Sequence, residues 1–479
     1  MEIKDFKNAI VTVMGLGRFT QGSGVGATKW LMRHGAQVII TDLKTEDELK
    51  ESVDEVTKWY EQYRKDFPDR ELYHPIFVLG EHRAQDFTDV RAVLQNPDVR
   101  RESEFVKMAR EHDVPIFSDV SLFFKFCPYK ITAVTGTRGK TTTTALIGEM
   151  YKTVDARAVT AGNIKVSPLE SLDEILADKK SRPIVLELSS TLLESLDEVD
   201  RGADIAVITN IYPDHLNRYD SYEQYRASKE LIFRDQTTNQ MLVLNADNAE
   251  VKEMATRAKS QVFWFGLKQM DGNGAFVREG EIVMSKDGKQ ESIMPASEVK
   301  LEGEHNLYNI LASVCVARLS DVPVEKIAGV LRTFAGVEYR QEITRVINGV
   351  TYVNDTTATS PDGAVAALKR FGPKGKIILL AGGNTKNLSF EVMVAPMREY
   401  CKQIILFEGT ATDDLEKAIG GMIPTMRVKS MAEAVTAAVE LANDGDYVLL
   451  SPGCTSFGMF KNEFDRGDQF REEVGKIRL

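Results

Sequence analysis

Short runs of branched apolar residues alternate along nearly the whole chain with longer segments whose apolar positions recur at helical spacing. Continuous apolar runs are what strands covered on both faces require, and helices between them keep one polar face. The expected fold class is therefore α/β, with mostly parallel sheets. The first block reads as strand "NAIVTVMGLG", helix "GATKWLMRHG" and strand "AQVIITD", then a highly charged stretch over 44–75 expected to be a surface helix and connector. A further strand and helix follow, and "VPIFSDVSLFFKF" runs to Cys127-Pro128, where the first boundary is placed. The second block holds strands in "KITAVTG", "RPIVLELSS", "ADIAVITN" and "MLVLN", glycine-punctuated hairpins over about 265–300, and a helix with an apolar stripe in "EGEHNLYNILASVCVARL". In the third, "VTYVND", "KGKIILLAGG", "KQIILFEG" and "DYVLLSPG" are four buried-type strands separated by helices, an open sheet. Three domains are expected, at 1–129, 130–336 and 337–479, with no internal repeat or low-complexity tract.

Length agrees: 479 residues exceed one core, and roughly 150 residues per domain gives about three. Hydrophobic residues at 43% and charged residues at 27% are the balance of globular chains. Asp and Glu outnumber Lys and Arg by 71 to 60, a net charge of -11, which excludes a general nucleic-acid surface and leaves local basic pockets for anions. The opening "MEIKDFKNAI" carries charges of both signs and no run spans a bilayer, so neither a secretory signal nor a membrane anchor is expected. Cys127, Cys315, Cys401 and Cys454 lie far apart without metal-like spacing, as buried thiols in a reducing compartment would. The expected location is cytoplasmic.

Chemistry concentrates first in "AVTGTRGKTTTTALIGEM". Gly136, Thr137, Arg138, Gly139, Lys140, Thr141 and Thr142 lie between a strand and a helix, the setting of a phosphate-binding loop. Glycines let backbone N–H groups converge on phosphate oxygens, the helix N-terminus adds positive potential, Lys140 supplies a cation and the Thr141 hydroxyl suits magnesium. The widespread form of such a loop has a glycine five positions before Gly139, where this chain has Val134. A bare structural turn is the alternative, and the Lys-Thr pair argues against it. Near the start, Gly15, Leu16 and Gly17 form a Rossmann-like turn, with Asp42 ending the next strand. A dehydrogenase using Asp42 on a ribose hydroxyl is the reading from a different enzyme class.

Taken in chain order, the loop and several further stretches resemble the Mur ligases, amide-forming enzymes of peptidoglycan precursor synthesis, with folylpolyglutamate synthetases as relatives. These stretches are "AGNIKVSPLE" with Asn163, "VLELSSTLLE" with Glu187, "ITNIYPDHLNRY" with His215, "YRASKELIF" with Lys229 and "GEHNLYNILA" with Asn306 and Asn309. The resemblance implies a Rossmann-like N-terminal UDP-binding domain, a central P-loop ATPase-like domain and a Rossmann-like C-terminal domain. It implies ATP and two magnesium ions, with Thr141, Glu187, His215 and a carbamylated Lys229 as metal ligands, and Lys140, Glu187, His215 and Lys229 at the reaction centre. The adenine would lie on Asn306 and Asn309, and further ATP contacts would come from Arg340 in "YRQE" and Asp355 in "VNDTTATS". A Mur ligase also uses a turn like Gly15–Gly17 for the UDP diphosphate, with Asp42 near the uridine end and Asn96-Pro97 in the donor-binding loop.

The segment "SPGCTSFGMFKNEFDRGDQF" is similar to the close of the second-step Mur ligases, which join D-glutamate to UDP-N-acetylmuramoyl-L-alanine. That match implies Ser456, Phe457 and Lys386 around D-glutamate, whereas Phe460, Phe464 and Phe470 read as core. Two positions depart from the family pattern: Thr357 stands where a lysine is usual, and Glu463-Phe464 where Phe-Glu is. Rival readings are another Mur or folylpolyglutamate-type ligase with a different acceptor, or a nucleotide-binding homologue without ligase activity. A monomer that meets its small-molecule substrates away from nucleic acid and membrane is expected.

Overall fold

A computed structural model describes every residue except 163–165, 215–217, 387, 457 and 479, and at 198 the backbone alone. The expected Asn163, His215 and Phe457 lie outside the described residues. The chain forms two compact units, one of residues 1–212, 223–297 and 308–330, the other of residues 213–222, 298–307 and 331–479.

The first unit contains two sheets. Strands β1 (Ile10–Met14), β2 (Gln37–Asp42), β3 (Ile76–Leu79), β4 (Ala92–Gln95) and β5 (Ile116–Phe117) pair in the order β3-β2-β1-β4-β5, all parallel. The order reverses beside β1, so the crevice at its carboxyl end, where Gly15 sits, is the place an open sheet of this kind receives a ligand. The charged stretch folds as the helix Glu46–Asp66, capped by reciprocal bonds between Thr45 and Glu48. Leu49, Val53, Val56 and Tyr60 are its apolar stripe, and the charges face water.

The second sheet comprises β6 (Thr132–Thr135), β7 (Val159–Gly162), β8 (Ile184–Glu187), β9 (Ile205–Ile208), β10 (Met241–Asn245), β11 (Gln261–Gly266), β12 (Gly274–Arg278), β13 (Glu281–Lys286) and β14 (Lys289–Pro295). Its order is β14-β13-β12-β11-β10-β9-β6-β8-β7, with antiparallel pairing confined to the β12–β13–β14 hairpins. β6 lies between β8 and β9 in parallel register, Val134 opposite both Glu187 and Val207, so the loop after β6 opens beside the ends of both neighbours. Asp173, on the helix Leu169–Ala177, accepts bonds from Trp30 Nε1 at 3.0 Å, Arg33 Nε at 2.7 Å and His34 Nε2 at 2.8 Å, and so ties this layer to the helix that follows the first glycine turn.

The second unit carries β15 (Glu342–Ile347), β16 (Val350–Asn354), β17 (Ile377–Gly382), β18 (Cys401–Phe407), β19 (Thr425–Val428) and β20 (Tyr447–Leu450), ordered β15-β16-β20-β17-β18-β19. Only β15 runs antiparallel to its neighbour. Two apolar layers cover its faces, one built on Leu379, Leu406 and Phe371, the other on Leu380, Phe407 and Phe470. All four cysteines are free and buried. No helix among the described residues is long and apolar enough to cross a membrane.

Candidate active site

The first glycine turn is shaped by its neighbours. Gly15 has φ +89°, and a Cβ there would stand 2.8 Å from Cβ of Asn96, so a side chain is excluded twice over. Asn96 Nδ2 donates to Gly15 O at 3.1 Å. Asp42, almost fully buried, does not reach outward. Its Oδ2 accepts Leu16 N–H at 3.0 Å and Gly17 N–H at 3.4 Å, and its Oδ1 accepts Lys44 N–H at 3.0 Å. Asp42 therefore braces the turn. A shallow cleft beside Asn96 and Pro97 is lined also by Arg101, Thr191 and Glu194, which brings the end of β4 to the helix Ser190–Glu194 after β8. Ser167, just before the helix Leu169–Ala177, is fastened to this region. Its N–H donates to Gln21 O at 3.0 Å and its Oγ to the buried Asp119 at 2.8 Å.

The loop after β6 is closed on itself. Lys140 starts the helix Lys140–Lys152, and its Nζ donates to Gly136 O at 3.0 Å and Thr137 O at 3.1 Å. Gly136, at φ +144°, leaves no room for a Cβ, which would fall 1.9 Å from Thr209 Oγ1. Gly139, at φ +82°, is closed in the same way by Asn309 Oδ1 at 2.2 Å. Thr209 and Asn210, just past β9, hold the loop: Asn210 Oδ1 accepts Arg138 N–H at 2.8 Å, Asn210 O accepts Thr137 N–H at 2.8 Å and Thr209 Oγ1 donates to Arg138 O at 2.6 Å. Sequence reasoning passed over both residues, although they stand in the quoted "ITNIYPDHLNRY". Asn309 also accepts from Thr143 Oγ1 at 3.3 Å, which puts its amide on the loop.

Glu187 ends β8 at 1% exposure, and Thr141 and Thr142 are buried at the helix start. Lys229 is buried too, at 2% exposure, its Nζ donating to Thr135 Oγ1 at 3.2 Å and lying 5.5 Å from the Tyr225 ring centroid. A helix lysine ordinarily reaches water. A buried carboxylate and a hydroxyl beside a phosphate loop are hard oxygen donors that fit magnesium, and an amine this enclosed fits only if its charge is removed or reversed. Among the described residues no group of three or more His, Cys, Asp or Glu is placed to hold a metal ion.

In the second unit the named residues gather at the carboxyl ends of three adjacent strands. Asp355 follows β16, Lys386 lies beyond β17 and Ser456 beyond β20. An antiparallel bridge between Asn384 and Thr455, 3.0 Å in each direction, holds the last two segments together. Lys386 Nζ donates to Thr359 Oγ1 at 3.2 Å, and Ser456 Oγ is buried without a hydrogen-bond partner among the described residues. Asp355 accepts from Ser451 Oγ at 2.7 Å and from Gln341 N–H at 3.0 Å, and burial pushes its carboxyl up to about 7 against those bonds. Arg340 is exposed. Asn306, in the first turn of the helix Glu304–Leu319, donates from Nδ2 to Glu302 O at 2.8 Å. Arg466, fully buried, donates to Thr356 Oγ1 at 3.0 Å, Thr356 O at 2.8 Å and Cys454 O at 3.3 Å, bracing the Asp355 and Ser456 loops together. Thr357, in the lysine's place, donates from Oγ1 to Tyr339 O at 2.9 Å. The exchanged pair is accommodated as well: Glu463 O accepts from Thr356 Oγ1 at 2.7 Å, and the Phe464 ring meets Tyr339 edge to face at 5.4 Å.

Residues 134–317 match the Mur ligase middle domain and 339–454 the Mur ligase glutamate ligase domain. The chain is 40% identical, over 96% of its length and 97% of the relative's, to a UDP-N-acetylmuramoylalanine–D-glutamate ligase of Roseiflexus sp. (strain RS-1). The chain belongs to the Mur ligase family. A second relative of the same name, from Thermoanaerobacter sp. (strain X514), is 36% identical over the full length of both chains. Among solved structures, the Mur ligase architecture is shared with UDP-N-acetylmuramate-alanine ligase of Thermotoga maritima, with TM-score 0.62 at 19% identity over 98% of this chain and 99% of that one. A pseudomurein peptide ligase type C of Methanothermus fervidus gives TM-score 0.56 at 18% identity over 98% and 100%. The loop after β6, Glu187, Lys229, Asn306 and Asn309 fall inside the Mur ligase middle-domain match, and Arg340, Asp355 and Lys386 inside the glutamate ligase match.

Proposed function

We propose that the chain is an ATP-dependent ligase joining D-glutamate to UDP-N-acetylmuramoyl-L-alanine, built from a UDP-substrate domain at 1–129, an ATP domain at 130–336 and an amino-acid domain at 337–479. The observation that carries this reading is the phosphate loop Gly136–Thr142, sterically closed by Thr209 and Asn309, in a chain alignable end to end with relatives named for that reaction. A dehydrogenase is disfavoured by the same membership and by Asp42, whose oxygens are occupied by the turn itself.

The donor carboxylate attacks the γ-phosphorus of ATP, ADP leaves, and an acyl phosphate forms. Loop N–H groups and Lys140, once it swings from the Gly136 and Thr137 carbonyls to the nucleotide, oppose the charge that develops on the transferring group. Magnesium, two ions in this reading, would be held by Thr141, Glu187, His215 and a carbamylated Lys229, and would supply neutralisation of phosphate charge. Asn306 and Asn309 take the adenine, Arg340 and Asp355 the rest of the nucleotide. Asn96, Asn163 and the Gly15–Gly17 turn orient the donor. Lys386, Ser456 and Phe457 orient D-glutamate, whose amine attacks the acyl carbonyl, and inorganic phosphate leaves from the tetrahedral intermediate. The orphaned Ser456 hydroxyl supports an acceptor there, since buried polar atoms rarely lack a partner.

Mass spectrometry after incubation with UDP-N-acetylmuramoyl-L-alanine, ATP, magnesium and a panel of D- and L-amino acids tests the reading. One product, from D-glutamate, is expected, and a different acceptor would reassign the enzyme within its family. In the same assay Lys229→Ala is inactive and regains turnover with short-chain carboxylates; full activity without them would dispose of the carbamate.

A further inference from the structure

The segment entering the last sheet is bent against its own preference. Tyr339 and Gln341 both have left-handed backbone, φ +63° and +48°, with Arg340 between them. Non-glycine residues hold that conformation only when their surroundings over-determine it. At Gln341 they do. Its N–H donates to Asp355 Oδ1 at 3.0 Å, and its carbonyl and its Oε1 each accept from Arg370 Nη1 at 3.3 Å. Tyr339 is fixed as well, its carbonyl receiving Thr357 N–H at 3.3 Å and Thr357 Oγ1 at 2.9 Å. Arg370 commits its guanidinium to this task at a cost, because its Nε is buried with no hydrogen-bond partner among the described residues.

We infer that Gln341 is a positioning residue for the nucleotide: clamped by Asp355 and Arg370, it fixes the backbone from which the exposed Arg340 side chain projects and locks Arg340 to Asp355 in one rigid piece. This rests on the reading of Arg340 and Asp355 as ATP contacts. The clamp restricts Arg340 before ligand arrives, so less conformational freedom is lost on binding.

A double-mutant cycle on the full chain, read by equilibrium binding of ATP with magnesium, tests it. Gln341→Ala and Gln341→Gly should each weaken ATP binding about fivefold or more, with KM for D-glutamate within about twofold of wild type. The glycine variant accepts the left-handed turn without strain, so it keeps its melting temperature and separates positioning from misfolding. Arg340→Ala should weaken ATP similarly, and adding Gln341→Ala to it should change little further. Additive losses, or wild-type ATP affinity in Gln341→Gly, would overturn the inference alone. Wild-type ATP affinity in Arg340→Ala would remove the reading of Arg340 as a nucleotide contact, and this inference with it.

Discussion

Asp355 and His305 face the same small cluster and are perturbed in opposite directions. Burial pushes the Asp355 carboxyl up to about 7, while burial first and Arg370 second push the His305 imidazole down to about 4. In an unfolded chain the two groups titrate near about 3.9 and 6.5. From about pH 4 to 7 the folded chain keeps a proton on Asp355 that the unfolded chain has lost, so this residue makes stability fall as pH rises. His305 does the reverse: the unfolded chain gains a proton that the folded chain refuses, so its contribution is lost as pH falls from about 6.5 toward 4. Asp355→Asn should therefore gain melting temperature on wild type as pH climbs through that window, and His305→Gln should gain as it drops. Thermal melts across about pH 4.5 to 7.5 decide the matter, and a pH-independent offset in both variants would contradict it. At this scale the sequence displayed the candidate site unevenly. Lys140, Glu187 and Lys229 stood in recognisable motifs. Thr209, Asn210 and Arg466 did not stand out, because each acts by closing a loop about seventy to a hundred and ten positions away in the chain.

Among elements, strands with two covered faces were legible and the edges of the third sheet were not. β6, β9 and β17 are buried at every position and read directly as strands. β15 and β19 are the edges of the third sheet, with one buried position each, so no apolar run announces them. The closing helix Glu463–Lys476 shows a local device that the exchanged Glu463-Phe464 pair leaves intact: Asn462 Oδ1 accepts the N–H groups of Phe464 and Asp465, each at 2.9 Å. Removing that cap should cost about 1 kcal/mol. Asn462→Ala is expected to lower the denaturation midpoint accordingly, whereas Asn462→Ser or Asn462→Asp should keep most of it. Equal losses in all three, measured by urea titration, would assign Asn462 some other task.

For the whole molecule, the division into two units does not follow the chain. It passes between them at 212/213, 222/223, 297/298, 307/308 and 330/331, so the second unit is completed by two separate ten-residue segments from upstream. One of these supplies Glu302, paired with Lys374. The contiguous piece 331–479 should consequently melt several degrees below the last transition of the full chain, as calorimetry would show, because about 1 kcal/mol moves the midpoint by some 2–4 °C in units of this size. Coincident midpoints would mean that the upstream segments add nothing. The four enclosed thiols lend themselves to practical use. Burial pushes Cys401 and Cys454 up to about 12, and Cys127 and Cys315 upward as well, so none presents a reactive thiolate to solvent. A single cysteine introduced on the surface would then be the one handle that a maleimide fluorophore finds, and a pair of them would report inter-unit distances without stripping the native chain of its own sulfur.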